Sequence, residues 1–173
     1  MSWREQAKNV RCIILDIDGV MTPGTVGYGE TDNVKFFNIR DGHAIKMGLR
    51  AGLLIGVISG RHDPANHRRV TELGMSFAWE GQKDKVIAFE SLLAEQDLTG
   101  EDCLYLGDDV VDIPVMRRVG LPCCVADAAE EVVPHALWQT SAAGGQGAVR
   151  EVIVGVMKAR DLWDSAMARY LER

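Results

Sequence analysis

Short apolar runs alternate along this chain with longer amphipathic stretches, and that alternation leaves few folds open. Val10 to Leu15, Leu53 to Ile58, Cys103 to Leu106 and Pro122 to Val125 read as buried strands, most of them followed by Gly, Asp or Ser. His43 to Ala51, Asp63 to Leu73, Lys83 to Gln96 and Val110 to Val119 carry helical periodicity. Strand–helix alternation implies an α/β fold, a Rossmann-like parallel sheet with helices on both faces. In such sheets ligands bind beyond the carboxyl ends of the strands, so the chemistry should lie there.

One segment departs from the pattern. Thr25 to Glu30 and Val34 to Ile39 look like two strands joined by the turn Thr31-Asp32-Asn33, a β-hairpin (about residues 24–40) inserted after the first strand. A hairpin exposing Tyr28, Phe36 and Phe37 would be marginal alone and should pack on something, most simply another subunit. No repeat, linker or low-complexity tract divides the 173 residues, which read as one domain. Val149 to Arg173 is helical in pattern, with bends expected at Gly155 and over Lys158 to Asp161 and a tail from about residue 158.

Charge and cysteine usage remove several function classes. Lys and Arg number 19 against 25 Asp and Glu, a net charge of −6 with no basic run, which suits neither nucleic acid nor an anionic membrane surface. No apolar run approaches the roughly 20 residues of a membrane span, and Met1-Ser2-Trp3-Arg4-Glu5 lacks the apolar core of a signal peptide. Cys12, Cys103, Cys123 and Cys124 lack zinc-ligand spacing and should be buried reduced thiols of a cytoplasmic protein, with Cys123 and Cys124 facing opposite sides of a strand.

Four polar sites sit just past predicted strands. Asp16 and Asp18, two apart at the end of the first, can cap a turn or hold Mg²⁺, and one of them can attack phosphorus. Ser59-Gly60-Arg61 offers a hydroxyl, a backbone N–H and a cation. Lys85 stands at a helix start, and Gly107-Asp108-Asp109 with Asp112 adds an acidic cluster. Each is weak alone; together, in order, they supply a nucleophile, a second carboxyl, a hydroxyl, a lysine and metal-binding acids.

This ordered set resembles the motifs of the haloacid dehalogenase superfamily of phosphotransferases. Asp16-Ile17-Asp18-Gly19-Val20-Met21-Thr22 is similar to the first motif, Ser59 to the second, Lys85 to the third and Gly107 to Asp112 to the fourth. The hairpin, Asn38 to Gly42, Gly107 to Met116 and Gly144 to Glu151 further resemble the capless 3-deoxy-D-manno-octulosonate 8-phosphate phosphatase family, over roughly residues 10–160. The resemblance implies that Asp16 attacks phosphorus and that Asp18 is the acid and base. It implies Mg²⁺ on Asp16, Asp108 and the Asp18 carbonyl, with Ser59 and Lys85 on the phosphoryl oxygens. Asp109 and Asp112 would orient metal water and Lys85.

The substrate so implied is a small sugar-acid phosphate. Arg61 beside Gly60 is the first choice for its carboxylate, because a planar guanidinium fork suits one. Lys46, Arg69 and the loop Asn38-Ile39-Arg40-Asp41-Gly42 would complete the sugar site, with Gly144 to Gly147 as a flap nearby. The family further implies a homotetramer built through the hairpins, which excludes water as a cap domain does elsewhere. Pro23, where an acid or amide is expected, and His43-Ala44, where an aromatic and a glycine are commoner, depart from the pattern. A nonulosonate 9-phosphate phosphatase would share the whole centre. A silent tetramerisation module or a phospho-receiver would not need all of it.

Overall fold

The structure, a computed structural model, describes residues 2–30 and 33–172. In chain order the strands are β1 (Cys12–Leu15), β2 (Gly27–Tyr28), β3 (Asn33–Val34), β4 (Leu54–Ile58), β5 (Phe77–Trp79), β6 (Cys103–Gly107), β7 (Leu121–Cys124) and β8 (Trp138–Gln139). The helices are α1 (Trp3–Ala7), α2 (Ile39–Arg50), α3 (Pro64–Leu73), α4 (Lys85–Gln96), α5 (Ile113–Met116), α6 (Ala148–Ala159) and α7 (Trp163–Leu171).

Six strands form one parallel sheet in the order β5-β4-β1-β6-β7-β8, and β2 and β3 pair antiparallel as the inserted hairpin. The chain winds outward from β1 through β4 to β5, returns to β6, then winds the other way. The order therefore reverses between β1 and β6, where diverging connections open a crevice at the strands' carboxyl ends.

Both sheet faces are buried, which is why the strands read as near-continuous apolar runs. Ile13, Leu15, Ile55, Val57, Leu104, Leu106, Leu121 and Cys123 point to a core shared with α2, α3 and α6. Cys12, Ile14, Ile58, Cys103, Tyr105 and Cys124 point to a second core under α4 and α5. The four cysteines are free and buried, and Cys123 and Cys124 do face opposite sides. No helix among the described residues is long and apolar enough to cross a membrane.

Several element boundaries differ from those read in the sequence. Asn38 to Gly42, expected as a loop, is the cap and first turn of α2: Asn38 Oδ1 accepts from the Arg40 and Asp41 N–H groups at 2.8 and 3.4 Å. The helix expected over Val110 to Val119 is a 3₁₀ turn followed by the short α5. Strands β5 and β8 and helix α1 are additional, too short to show a period. The hairpin strands are shorter than expected, and Thr31 and Asp32 of its turn lie outside the described residues. Gly155 does not bend α6. It makes room for the Trp138 ring, whose far edge a Cβ there would meet at 2.5 Å, and the break falls later, at Asp161 (φ +57°).

Candidate active site

Asp16 is the first residue beyond β1, and its N–H still donates to Leu106 O at 3.1 Å, so β6 fixes where the side chain begins. The chain then coils around one carbonyl. The Met21 and Thr22 N–H groups donate to Ile17 O at 2.9 and 3.1 Å, and Thr22 Oγ1 donates to it at 3.3 Å. Gly19 takes φ +89°, and a Cβ there would collide with the Asp108 carboxylate, so glycine alone lets the two loops meet. Gly144 and Gly145 press backbone against this coil, with Gly145 N–H donating to Val20 O at 2.9 Å and no room for a Cβ at either. The segment expected as a flap is a wedge packed under the Asp16 loop.

Asp16 and Asp18 face different partners. Buried Asp16 places Oδ1 2.9 Å from Lys85 Nζ, and Lys85 is 2.7 Å from Asp112 Oδ1. Asp18 is turned instead toward Lys35 Nζ, 2.6 Å from its Oδ1, and Arg61 Nε, 3.9 Å from its Oδ2. Burial pushes the Asp16 carboxyl up to about 6, with Asp112 adding to the rise and Lys85 opposing it. Burial works against the Lys85 charge, but Asp16 and Asp112 outweigh it and hold the ammonium above its usual range.

Asp16, Asp108 and Asp112 bring carboxylate oxygens within 4.8 Å of one another. The three are not equivalent. Asp112 Oδ1 accepts from Lys85 and from Tyr105 OH, each at 2.7 Å, and its Oδ2 accepts from the Asp108 and Asp109 N–H groups at 2.9 and 3.3 Å. Its lone pairs are thus spent on orienting Lys85 and the loop. Asp108 Oδ1 is buried with no partner among the described residues. Burial first, then the Asp16 and Asp112 charges, push the Asp108 carboxyl up to about 8. Hard oxygen donors, crowded negative charge and an orphaned oxygen are what a divalent cation of the Mg²⁺ kind satisfies. The Asp18 carbonyl, the third expected ligand, accepts no hydrogen bond among the described residues.

Around this centre, Ser59 is buried at the end of β4 and its Oγ accepts from Arg61 N–H at 3.4 Å, while Gly60 is exposed. Asp109 is exposed and caps the 3₁₀ turn. Arg61, Arg40, Lys46 and Ile39 all present exposed side chains. Two expected sugar ligands also make contacts within the fold, while Asp41 Oδ2 and Arg69 Nε have no hydrogen-bond partner among the described residues. Asp41 is buried with Oδ1 accepting from Arg150 N–H at 2.8 Å, which holds α6 against α2. Arg69 donates to Glu72 and to Asn38 O at 3.0 and 3.3 Å, filling space that a side chain at Gly42 would need. Lys35, Asn66 and Tyr105 were not singled out in the sequence. The one available signal was a lysine between Val34 and Phe36, where alternation turns it to the opposite side. A groove of about 1170 Å³ between α1 and α6, lined by Trp3, Lys8, Trp138 and Lys158, includes none of these carboxylates.

Comparison with known proteins gives this geometry a context. Residues 75–153 match the family model of haloacid dehalogenase-like hydrolases. The chain is 40% identical over 162 residues to the 3-deoxy-D-manno-octulosonate 8-phosphate phosphatase KdsC of Escherichia coli K12, covering 93% of this chain and 86% of that protein. The crystal structure of the Yersinia pestis phosphatase of that name is 38% identical, with a TM-score of 0.91 over 93% of this chain and 88% of that one. The Moraxella catarrhalis phosphatase, solved with a magnesium ion, a phosphate ion and 3-deoxy-D-manno-octulosonate (KDO), is 30% identical with a TM-score of 0.94 over 97% of each chain.

Proposed function

The chain belongs to the 3-deoxy-D-manno-octulosonate 8-phosphate phosphatases, within the haloacid dehalogenase-like hydrolases, and on that premise we propose that it hydrolyses 3-deoxy-D-manno-octulosonate 8-phosphate to the free sugar acid and phosphate. The observation that carries this reading is Asp16: a buried carboxylate at the switch point, held by Lys85 and set beside an acidic cluster with a free oxygen. Such a group is a nucleophile only where its charge and that of the phosphate are both offset.

Asp16, Asp108 and the Asp18 carbonyl would hold Mg²⁺, which when bound supplies the positive charge that lets an anionic nucleophile approach a dianionic phosphate. Asp16 attacks phosphorus and carries the phosphoryl group as an aspartyl phosphate, dividing one difficult displacement into two. Lys85, fixed by Asp112 and Tyr105, and Ser59 with the Gly60 backbone hold the phosphoryl oxygens. Asp18 gives a proton to the departing sugar oxygen and takes one from the water that cleaves the aspartyl phosphate. Arg61 receives the sugar-acid carboxylate, and Lys46 and the Asn38 to Gly42 turn face the sugar. Asp41 and Arg69 serve that turn from behind.

Two further features belong to the reading. Tyr28, Phe36 and Ile39 are 87%, 72% and 84% exposed on and beside the hairpin, an apolar surface that supports assembly into a homotetramer. Four free, buried cysteines support a reducing, cytoplasmic setting, and it is the proposed substrate that gives the reaction its place in lipopolysaccharide precursor synthesis. The test is phosphate release from 3-deoxy-D-manno-octulosonate 8-phosphate and from N-acetylneuraminate 9-phosphate, with Mg²⁺ and with EDTA. A Mg²⁺-dependent preference for the first of about a hundredfold or more is expected. Preference for the nine-carbon acid would reassign the substrate, and no release from either would remove the activity.

A further inference from the structure

Lys35 is a buried cation that the mechanism above does not use. Its neighbours Val34 and Phe36 are exposed, yet its own side chain is 0% exposed. Nζ donates to Asp18 Oδ1 at 2.6 Å and to Asn66 Oδ1 at 2.9 Å, with Asp63 Oδ2 at 3.8 Å. Asn66 is itself fully buried on α3. Asp63 caps α3 by accepting from Ala65 N–H at 2.9 Å, and its Oδ2 accepts from Asn33 Nδ2 at 2.8 Å. Asn33 and Lys35 thus lock the hairpin to the start of α3.

The consequence falls on Asp18. One of its oxygens is pinned, while the other, Oδ2, is buried with no hydrogen-bond partner among the described residues and faces the exposed Arg61, whose Nε is 3.9 Å away, beyond hydrogen-bond reach. A carboxylate free at both oxygens would rotate between partners, whereas one held at Oδ1 presents the same oxygen in every turnover.

We propose that Lys35 is a positioning residue, carried by the hairpin, that holds Asp18 Oδ1 so that Oδ2 performs the proton transfers. The inference rests on Asp18 being the acid and base. As the O–P bond breaks, its electron pair goes to the leaving oxygen, which the proton on Asp18 Oδ2 neutralises. Oδ2 then takes a proton from the water attacking the aspartyl phosphate, restoring the carboxyl group. Lys35 keeps its protons throughout.

The test uses the full chain with Mg²⁺ and a series of para-substituted phenyl phosphates, whose shapes are alike and whose leaving groups differ in their need of a proton. None carries a sugar, so a role for Lys35 in sugar binding does not enter. The readout is kcat/KM, which covers steps up to release of the phenol. Lys35→Met should lose about tenfold more on phenyl than on para-nitrophenyl phosphate, and Lys35→Arg should recover part of that difference. Asn66→Leu, which removes the second anchor and leaves the charge, should shift the dependence the same way by less and carries the test should Lys35→Met fail to fold. Equal losses across the series would overturn the proposal, making Lys35 a tether of the hairpin alone. Asp18→Asn keeps the two readings apart: no leaving-group dependence in that variant would overturn the role of Asp18 itself.

Discussion

At the scale of single residues, the centre is a set of carboxylates under mutual strain of charge. Asp108 is pushed up to about 8 and Asp16 to about 6, against an ordinary value of 3.8, first by burial. Carboxyls raised by folding are cheapest when protonated, so in the metal-free protein the contribution of these two groups to stability is fully present below about pH 4 and is lost as pH rises through the raised values. A cation that binds the ionised forms offsets that loss. The rise in melting temperature on saturation with Mg²⁺ should therefore be larger at pH 8.5 than at pH 6, and Asp108→Asn should flatten the difference. A Mg²⁺ effect equal at both, or larger at pH 6, would contradict the charge assignment. Asp16, Lys85 and Asp108 were legible in the sequence because each stands just past a strand end or at a helix start. Lys35 was not, because its partners Asp18 and Asn66 lie 17 and 31 positions away and meet it only in space. Asp41 and Arg69 stand out by position, and only the packed structure shows that one oxygen of Asp41 also ties α6 and that Arg69 also holds the Asn38 carbonyl.

At the scale of elements, the long apolar strands and the capped helices α3 and α4 were readable from period and punctuation. The misread parts have local causes. Asn38 acts as an N-cap, so a loop-like Asn38-Ile39-Arg40-Asp41-Gly42 starts α2. Pro114 and a 3₁₀ turn shorten the helix after Asp109. The hairpin is the element whose surroundings one chain leaves incomplete. Lys35 and Asn33 fasten its inner side, while Tyr28 and Phe36 stand in solvent. Light scattering coupled to size exclusion should give the mass of a tetramer, and Tyr28→Ser with Phe36→Ser should lower it. A monomer for the unaltered chain would leave that apolar surface without a role.

For the whole molecule, the sheet order β5-β4-β1-β6-β7-β8 sets Asp16 after β1 and Asp108 after β6, the two strands flanking the reversal. Ser59 follows β4 and Lys85 opens α4, so residues far apart in sequence converge at one end of one sheet. Alternation of strands and helices implied that convergence, though the edge strands β5 and β8, at three and two residues, were too short to announce themselves. Convergence on Asp16 has a chemical signature. With the full chain, Mg²⁺ and substrate, turnover quenched into borohydride should reduce the aspartyl phosphate and convert Asp16 to homoserine, read by peptide mass spectrometry. Modification at position 16 that requires both Mg²⁺ and substrate is the predicted result. Its absence during active turnover, or its appearance at Asp18 or Asp108 instead, would contradict the assignment of the nucleophile.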